Sequence, residues 1–202
     1  DYMSKITIIR NGDAAKKFDA KKIFHNYFIA EAEKQKKQAA IDAENKRIFN
    51  EKYKSVIDAK VKLFASLKAK ATTTKTGLQF VITKKSGGAK PKSGTGIFID
   101  YTGFLEDGTL FDSSYEDISK ANGKFDQNRA NANGYAPFPF QYGNKGGLIP
   151  GFLEGVNSMS LGDKVILFIP SELGYGKTGA GGGVIPPNTN LIFEVELVET
   201  QQ

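Results

Sequence analysis

Cysteine is absent from the 202-residue chain, and histidine occurs once, as His25. Thiol nucleophiles, disulfides and cysteine-bearing metal sites are therefore excluded, as are a histidine-based catalytic triad and a two-histidine zinc site. Long apolar runs are missing too. No window approaches the roughly 18 consecutive apolar residues of a membrane span, and the chain opens on Asp1 and a charged segment, so neither a span nor a secretory leader is expected. Glycine and proline are scarce in the first 75 residues alone: that stretch holds one of the 22 glycines, Gly12, and none of the seven prolines. The 40% apolar and 25% charged side chains suit one or two folded domains.

Charge divides along the same line. Residues 1–75 carry 18 Lys/Arg against nine Asp/Glu, whereas residues 76–202 carry ten against 13. The lysines of the first part are spread around the helical pattern with glutamates among them and no aromatic interleaving. That reads as a solvated helix face, and no nucleic-acid partner is expected.

Residues 13–76 contain neither Gly nor Pro and are rich in Ala, Lys, Glu and Gln, which predicts a helical arm. Asp13 and Asp19 are candidate N-caps. Phe49, Tyr53, Val56, Lys60, Phe64, Leu67 and Ala71 step by three or four residues and form one mainly apolar face, which must meet something. Between Ile29 and Lys46 the apolar content falls to alanines and Ile41, leaving a solvated helix surface and a bend as alternatives. The β-branched run Thr72-Thr73-Thr74 and then Gly77 are expected to end the helix. Ahead of it, residues 1–12 form a short arm in which Lys5–Arg10 reads as an isolated strand before the turn Asn11-Gly12. This piece resembles the terminal strand of a cyclophilin domain, which would make the chain a fragment of a longer protein with residues 13–76 as a spacer. A short ordered arm is the alternative.

Beyond residue 76, short apolar runs alternate with Gly and Pro. Strands are expected over Leu78 to Lys84, Gly96 to Leu105, Lys164 to Ile169 and Leu191 to Val198. Asp107-Gly108 predicts a type I′ hairpin, so the sheet is at least partly antiparallel. Phe152 to Met159, with Pro150 before it and Gly162 beyond, predicts two turns of helix. The class is α+β.

Several motifs mislead. Gly174-Tyr175-Gly176-Lys177-Thr178-Gly179 matches the dinucleotide fingerprint, but Gly181-Gly182-Gly183 and Pro186-Pro187 follow where a helix is required. Gly176-Lys177-Thr178 lacks the first glycine of a phosphate loop, since Ser171 stands there. In Asp126–Asn131, Arg129 and Ala130 break a calcium-loop pattern, and a polar surface loop is the better reading.

Two loops hold apolar pairs between glycines and prolines: Leu148-Ile149 within Gly143–Gly151, and Val184-Ile185 ahead of Pro186-Pro187. Such pairs suggest walls of an apolar pocket. Residues 96–198 carry these motifs within a longer ordered set. It comprises Tyr101-Thr102-Gly103-Phe104-Leu105-Glu106-Asp107-Gly108, Phe111-Asp112-Ser113-Ser114, Pro137-Phe138, Leu148-Ile149-Pro150-Gly151-Phe152, Gly155-Val156, Leu173-Gly174-Tyr175-Gly176, Ile185-Pro186-Pro187 and Leu191–Val195. In this set the chain resembles the FKBP family of peptidyl-prolyl cis-trans isomerases.

The resemblance implies an antiparallel sheet wrapped on a short helix, with the isomerase domain at residues 77–202. It places Phe152 at the pocket floor and Tyr101, Phe111, Phe138 and Phe193 as aromatic walls beside Leu148. Ile149 would offer its backbone N–H, and Tyr175 its hydroxyl, to substrate carbonyls. Asp112 would lie at the pocket edge, and Val184 and Ile185 in an overhanging loop. No residue attacks the substrate, and no metal or cofactor is implied. Proline-containing polypeptides are the implied substrates and an FKBP-type macrolide an implied inhibitor. Residues 13–76 would serve dimerisation or client binding, as in similar secreted bacterial members, which also points toward the bacterial periplasm or envelope. A proline-peptide binding module or holdase with little turnover is the alternative function. The sequence departs from the family in having Phe152 where Trp is common, in one extra residue within Gly143–Gly151, in a glycine-rich stretch at Gly179–Gly183, and in an insertion at residues 115–136.

Overall fold

The structure is a computed structural model that describes residues 11–13 and 17–198. The strand expected at Lys5–Arg10 lies outside the described residues. The chain divides into two compact units, residues 1–49 and 50–202, and the division falls within the residue range of helix α1 (Ala20–Lys68). Asp19 caps that helix, its carboxylate accepting the Lys22 N–H at 3.0 Å. The stretch from Ile29 to Lys46 is helix throughout, with exposed surface. No helix breaker interrupts it, and local pairs such as Gln38–Asp42 and Arg47–Glu44 support it. No helix among the described residues is long and apolar enough to cross a membrane.

The second unit is built on a seven-stranded antiparallel sheet of β1 (Thr72–Thr73), β2 (Gln79–Lys84), β3 (Gly96–Leu105), β4 (Leu110–Ser113), β5 (Phe138–Gln141), β6 (Lys164–Ile169) and β7 (Leu191–Val198). The order is β1-β2-β6-β7-β3-β4, and β5 also pairs with β3. Strand β3 therefore has β7 along one side. On the other it has β5 at its start and β4 at its end, and these two short strands frame the site described below.

Side chains alternate across the sheet, so β6 feeds two cores at once. Val165, Leu167 and Ile169 face the short helix α4 (Pro150–Val156), while Ile166 and Phe168 join Phe104 and Phe64 of α1. Helix α4 can approach closely because two of its residues lack side chains. A Cβ at Gly151 would stand 2.5 Å from Ile169 Cγ2, and one at Gly155 would run into Leu167.

Two turns differ from expectation. Helix α1 stops at Lys68, and Thr72-Thr73 form β1, while Gly77, at φ +97°, closes the β1–β2 turn. At Asp107-Gly108 only the glycine has positive φ, so the type I′ turn is not formed. Instead the Gly108 N–H donates to the Leu105 carbonyl, and the Thr109 N–H donates to the Asp107 carboxylate, a three-residue connection with glycine in the left-handed position. The segment after β4 holds two small helices, α2 (Glu116–Ala121) and α3 (Gln127–Asn131). Asp126 is the cap of α3, accepting the N–H groups of Asn128 and Arg129.

Candidate active site

Between α4 and the β3–β4–β5 end of the sheet lies a cavity of about 710 Å³, lined among others by Tyr101, Phe111, Asp112, Phe138, Leu148, Ile149, Phe152, Tyr175 and Phe193. Each reaches it from a different element. Tyr101 is in the middle of β3, Phe111 and Asp112 on β4, Phe138 at the start of β5 and Phe193 on β7, while Phe152 lies in the first turn of α4. Phe152, 4% exposed, is the hub. Its ring centroid lies 4.9 Å from Phe193, 6.4 Å from Tyr101 and 6.5 Å from Phe138. Phe111 meets Phe193 edge-on at 5.4 Å, and Tyr101 meets Phe138 at 5.6 Å. Edge-to-face and tilted pairs at these distances hold one another's rings in place and leave apolar faces to line the hollow.

Polar groups enter at two places. Ile149 is the cap residue of α4, with extended backbone, and Pro150 follows at the first helical position. Among the described residues neither the Ile149 backbone N–H nor the Tyr175 hydroxyl has a hydrogen-bond partner. A helix start leaves such donors free, and here the donor borders an apolar cavity. Asp112 is the opposite case. One oxygen accepts the Tyr101 hydroxyl at 2.5 Å, and the other accepts Arg129 Nη1 at 2.5 Å and the Ser113 N–H at 2.9 Å. Removal from water raises the Tyr101 pKa, and the hydrogen bond and charge of Asp112 raise it further against the opposing pull of Arg129. Tyr101 is thus a neutral donor across the physiological range. For Arg129, burial acts downward but is outweighed by Asp112, so the guanidinium is held even more firmly charged.

Residues 87–198 match the model of the FKBP-type peptidyl-prolyl cis-trans isomerases. The chain belongs to that family. It is 38% identical over 130 residues to FkpA of Aeromonas hydrophila, an alignment covering 64% of this chain and 40% of that one. It is 42% identical over 119 residues to an FK506-binding protein of Neisseria meningitidis, covering 59% of this chain and 92% of that one. Among solved structures, FkpA from Escherichia coli superposes with a TM-score of 0.51 at 30% identity, covering 91% of this chain and 73% of that chain. The chain spans about half the length, or less, of the longer curated relatives it matches.

In this FKBP-type domain Val184 and Ile185 stand apart from the other expected site residues and are not part of the cavity lining. Ile185 is buried in the core, paired with Ala180 by a short antiparallel bridge, and Val184 is 53% exposed. The glycine-rich turn before them folds the loop back on itself, which turns Ile185 inward. Four contributors are not singled out by the sequence, although one of them, Gly103, stands inside a quoted motif. Gly103 on β3 is needed because a Cβ there would strike the Phe111 ring and crowd Phe193. Arg129, Gly134 and Ala136 come from the insertion and line the cavity. The only sequence signal for Arg129 was negative: it broke the calcium-loop pattern without showing what it pairs with.

Proposed function

We propose that this chain is a peptidyl-prolyl cis-trans isomerase acting on proline-containing polypeptides, with catalysis residing in residues 77–202. The observation that carries the proposal is the aromatic cavity around Phe152 with two unsatisfied donors, Ile149 N–H and Tyr175 hydroxyl, at its lining. Rotation about an X–Pro bond is opposed by amide resonance, a barrier of about 18–20 kcal/mol. At the twisted transition state conjugation is lost and the amide is less dipolar. An apolar ring-lined site therefore disfavours the planar ground state more than the twisted one. The Ile149 and Tyr175 donors fix the flanking carbonyls in that geometry. Asp112, saturated by Tyr101 and Arg129, orients the Tyr101 hydroxyl and contributes a field without accepting a proton.

Phe152 leaves more room than the family's usual Trp and offers no indole N–H, so binding of an FKBP-type macrolide is expected to be weaker. The exposed aromatic residues Phe24, Tyr27 and Phe28 on one side of α1 support pairing of residues 13–76 with a second copy, client binding being the other outcome of the same test. The bacterial FkpA-type relatives favour a periplasmic or envelope location. A protease-coupled assay with an Xaa-Pro tetrapeptide tests the activity: acceleration that FK506 or excess proline peptide suppresses supports it. Peptide binding without acceleration favours the holdase.

A further inference from the structure

We propose that the insertion at residues 115–136 is a strut joining helix α1 to the active-site carboxylate, with Tyr53 and Arg129 as the positioning residues at its two ends. The inference rests on the isomerase reading above and adds a source of order to that site.

The α1 end is built by contact. The Tyr53 ring lies against Gly123, just past α2, so closely that a Cβ on Gly123 would collide with ring carbons and stand 2.6 Å from the hydroxyl oxygen. Gly123 also has φ +67°, a conformation that disfavours any other residue. Ile118, on α2, packs on the cluster formed by Phe64 of α1 with Phe104 and Leu110. Tyr53 and Phe64 are three turns apart on one helix, so α2 rests on two points of the same rod.

From there a chain of planar contacts runs to the site. Lys120 Nζ sits 4.7 Å over the Phe125 centroid, and Phe125 stacks on Tyr135 at 5.8 Å and 13°. The Tyr135 hydroxyl accepts the Asp126 N–H, and the Asp126 carboxylate caps the helix that carries Arg129. The Arg129 guanidinium lies 4.6 Å from the Tyr135 centroid and donates Nε–H to the Gly134 carbonyl at 2.9 Å. Gly134 leaves room for it, since a Cβ there would be 2.6 Å from Arg129 Cγ. The insertion thus holds the arginine by its face and one edge, leaving Nη1 for Asp112. A loop kept only for tolerance would leave such a cation solvated; this side chain is 31% exposed and has a defined partner on each side. Asp112 in turn holds the Tyr101 hydroxyl, and Tyr101 borders Phe138, Phe152 and Phe193.

The test measures kcat and KM on an Xaa-Pro tetrapeptide with the full chain. The variants are Tyr53→Ala, Arg129→Met and Asp112→Ala, together with the Tyr53/Arg129 and Arg129/Asp112 doubles. Arg129→Met should lower kcat/KM about fivefold and Tyr53→Ala about threefold. In the Asp112→Ala background Arg129→Met should change it by less than about 1.5-fold, and so should Tyr53→Ala in the Arg129→Met background. Arg129→Lys, which keeps the charge and loses the fork, should recover only part of the loss. The Arg129 Nε–H NMR signal should move in Tyr53→Ala toward that of a solvated arginine. Should Tyr53→Ala loosen α1, Gly123→Ala wedges the same joint while keeping both Tyr53 and Arg129 in the chain, and the same shift is expected. Equal losses from Arg129→Met with and without Asp112, or Tyr53→Ala and Gly123→Ala proteins with unchanged kcat/KM and an unmoved Arg129 signal, overturn the strut. A wild-type chain that does not accelerate isomerisation contradicts the proposed function, and the Arg129 Nε–H shift alone then decides the strut.

Discussion

Tyr175 and Asp163 illustrate two ways in which single residues serve this fold. The Tyr175 hydroxyl bonds to no described residue, so Tyr175→Phe should leave the thermal midpoint unchanged while lowering kcat/KM about threefold, read in the protease-coupled assay. Asp163 is spent entirely on structure. Its carboxylate accepts the Ser86 N–H and hydroxyl at 2.9 and 3.0 Å and the Ser160 N–H at 2.9 Å, tying the end of β2's extension to the turn before β6. Burial acts to raise its pKa, but these hydrogen bonds and nearby Lys85 outweigh it, so the folded value lies below the ordinary one. The sign follows: this stabilisation is complete above the ordinary carboxylate pKa of about 4 and is lost as pH falls through the lower folded value. Asp163→Asn should therefore lower the urea midpoint at pH 7 and have a much smaller effect near pH 2. Legibility at this scale followed from chain order. Tyr101, Phe111 and Phe152 sit in contiguous motifs, whereas Arg129 reaches Asp112 from a separate helix 17 positions later, a pairing set by tertiary structure alone.

Helix α1 changes character along its length. Up to Phe49 it is exposed almost throughout, but from Asn50 it belongs to the same compact unit as the sheet, where Phe64 is 3% exposed against Phe104 at a centroid distance of 5.2 Å. Lys60 adds an ion pair to Glu194 at 2.7 Å and lies over the Phe104 ring. Phe64→Ala should cost about 3–5 kcal/mol of unfolding free energy, measured by urea titration, because it opens a hole in a core shared by helix and sheet. A cost below about 1 kcal/mol would mean that the helix is not seated there. The apolar stripe from Phe49 to Ala71 announced in the sequence that this face is covered, though not by which surface. Strands β3, β6 and β7 were legible because their apolar runs are long and bounded by turns. Strand β4 was implied by the hairpin turn without its bounds, and β5 was not legible, being four residues with Pro139 inside. The path of the loop that carries Val184 and Ile185 was not legible, because a run of left-handed glycines sets it and side-chain pattern carries no record of that path.

For the molecule as a whole, the described part of the first unit exposes apolar side chains, Phe24, Tyr27 and Phe28 among them, and residues of the second unit line the cavity. Light scattering should give a mass of about twice 22.0 kDa for the wild type. Phe24→Glu combined with Phe28→Glu should halve it while leaving kcat/KM on a tetrapeptide within about twofold, since neither residue belongs to the unit that holds the site. A monomeric wild type would remove dimerisation from the account and leave client binding as the use of that surface. The central claim concerns the cavity and not the arm: noncovalent burial of an X–Pro amide among rings accelerates its rotation. The measurement that bears on it most directly is two-dimensional exchange NMR on an Xaa-Pro peptide, which reads cis–trans interconversion at equilibrium without a coupling protease. The wild type should produce exchange cross-peaks, and Phe152→Ala, folded by its amide spectrum, should reduce the exchange rate at least about tenfold. Equal exchange rates with the two proteins would contradict the account.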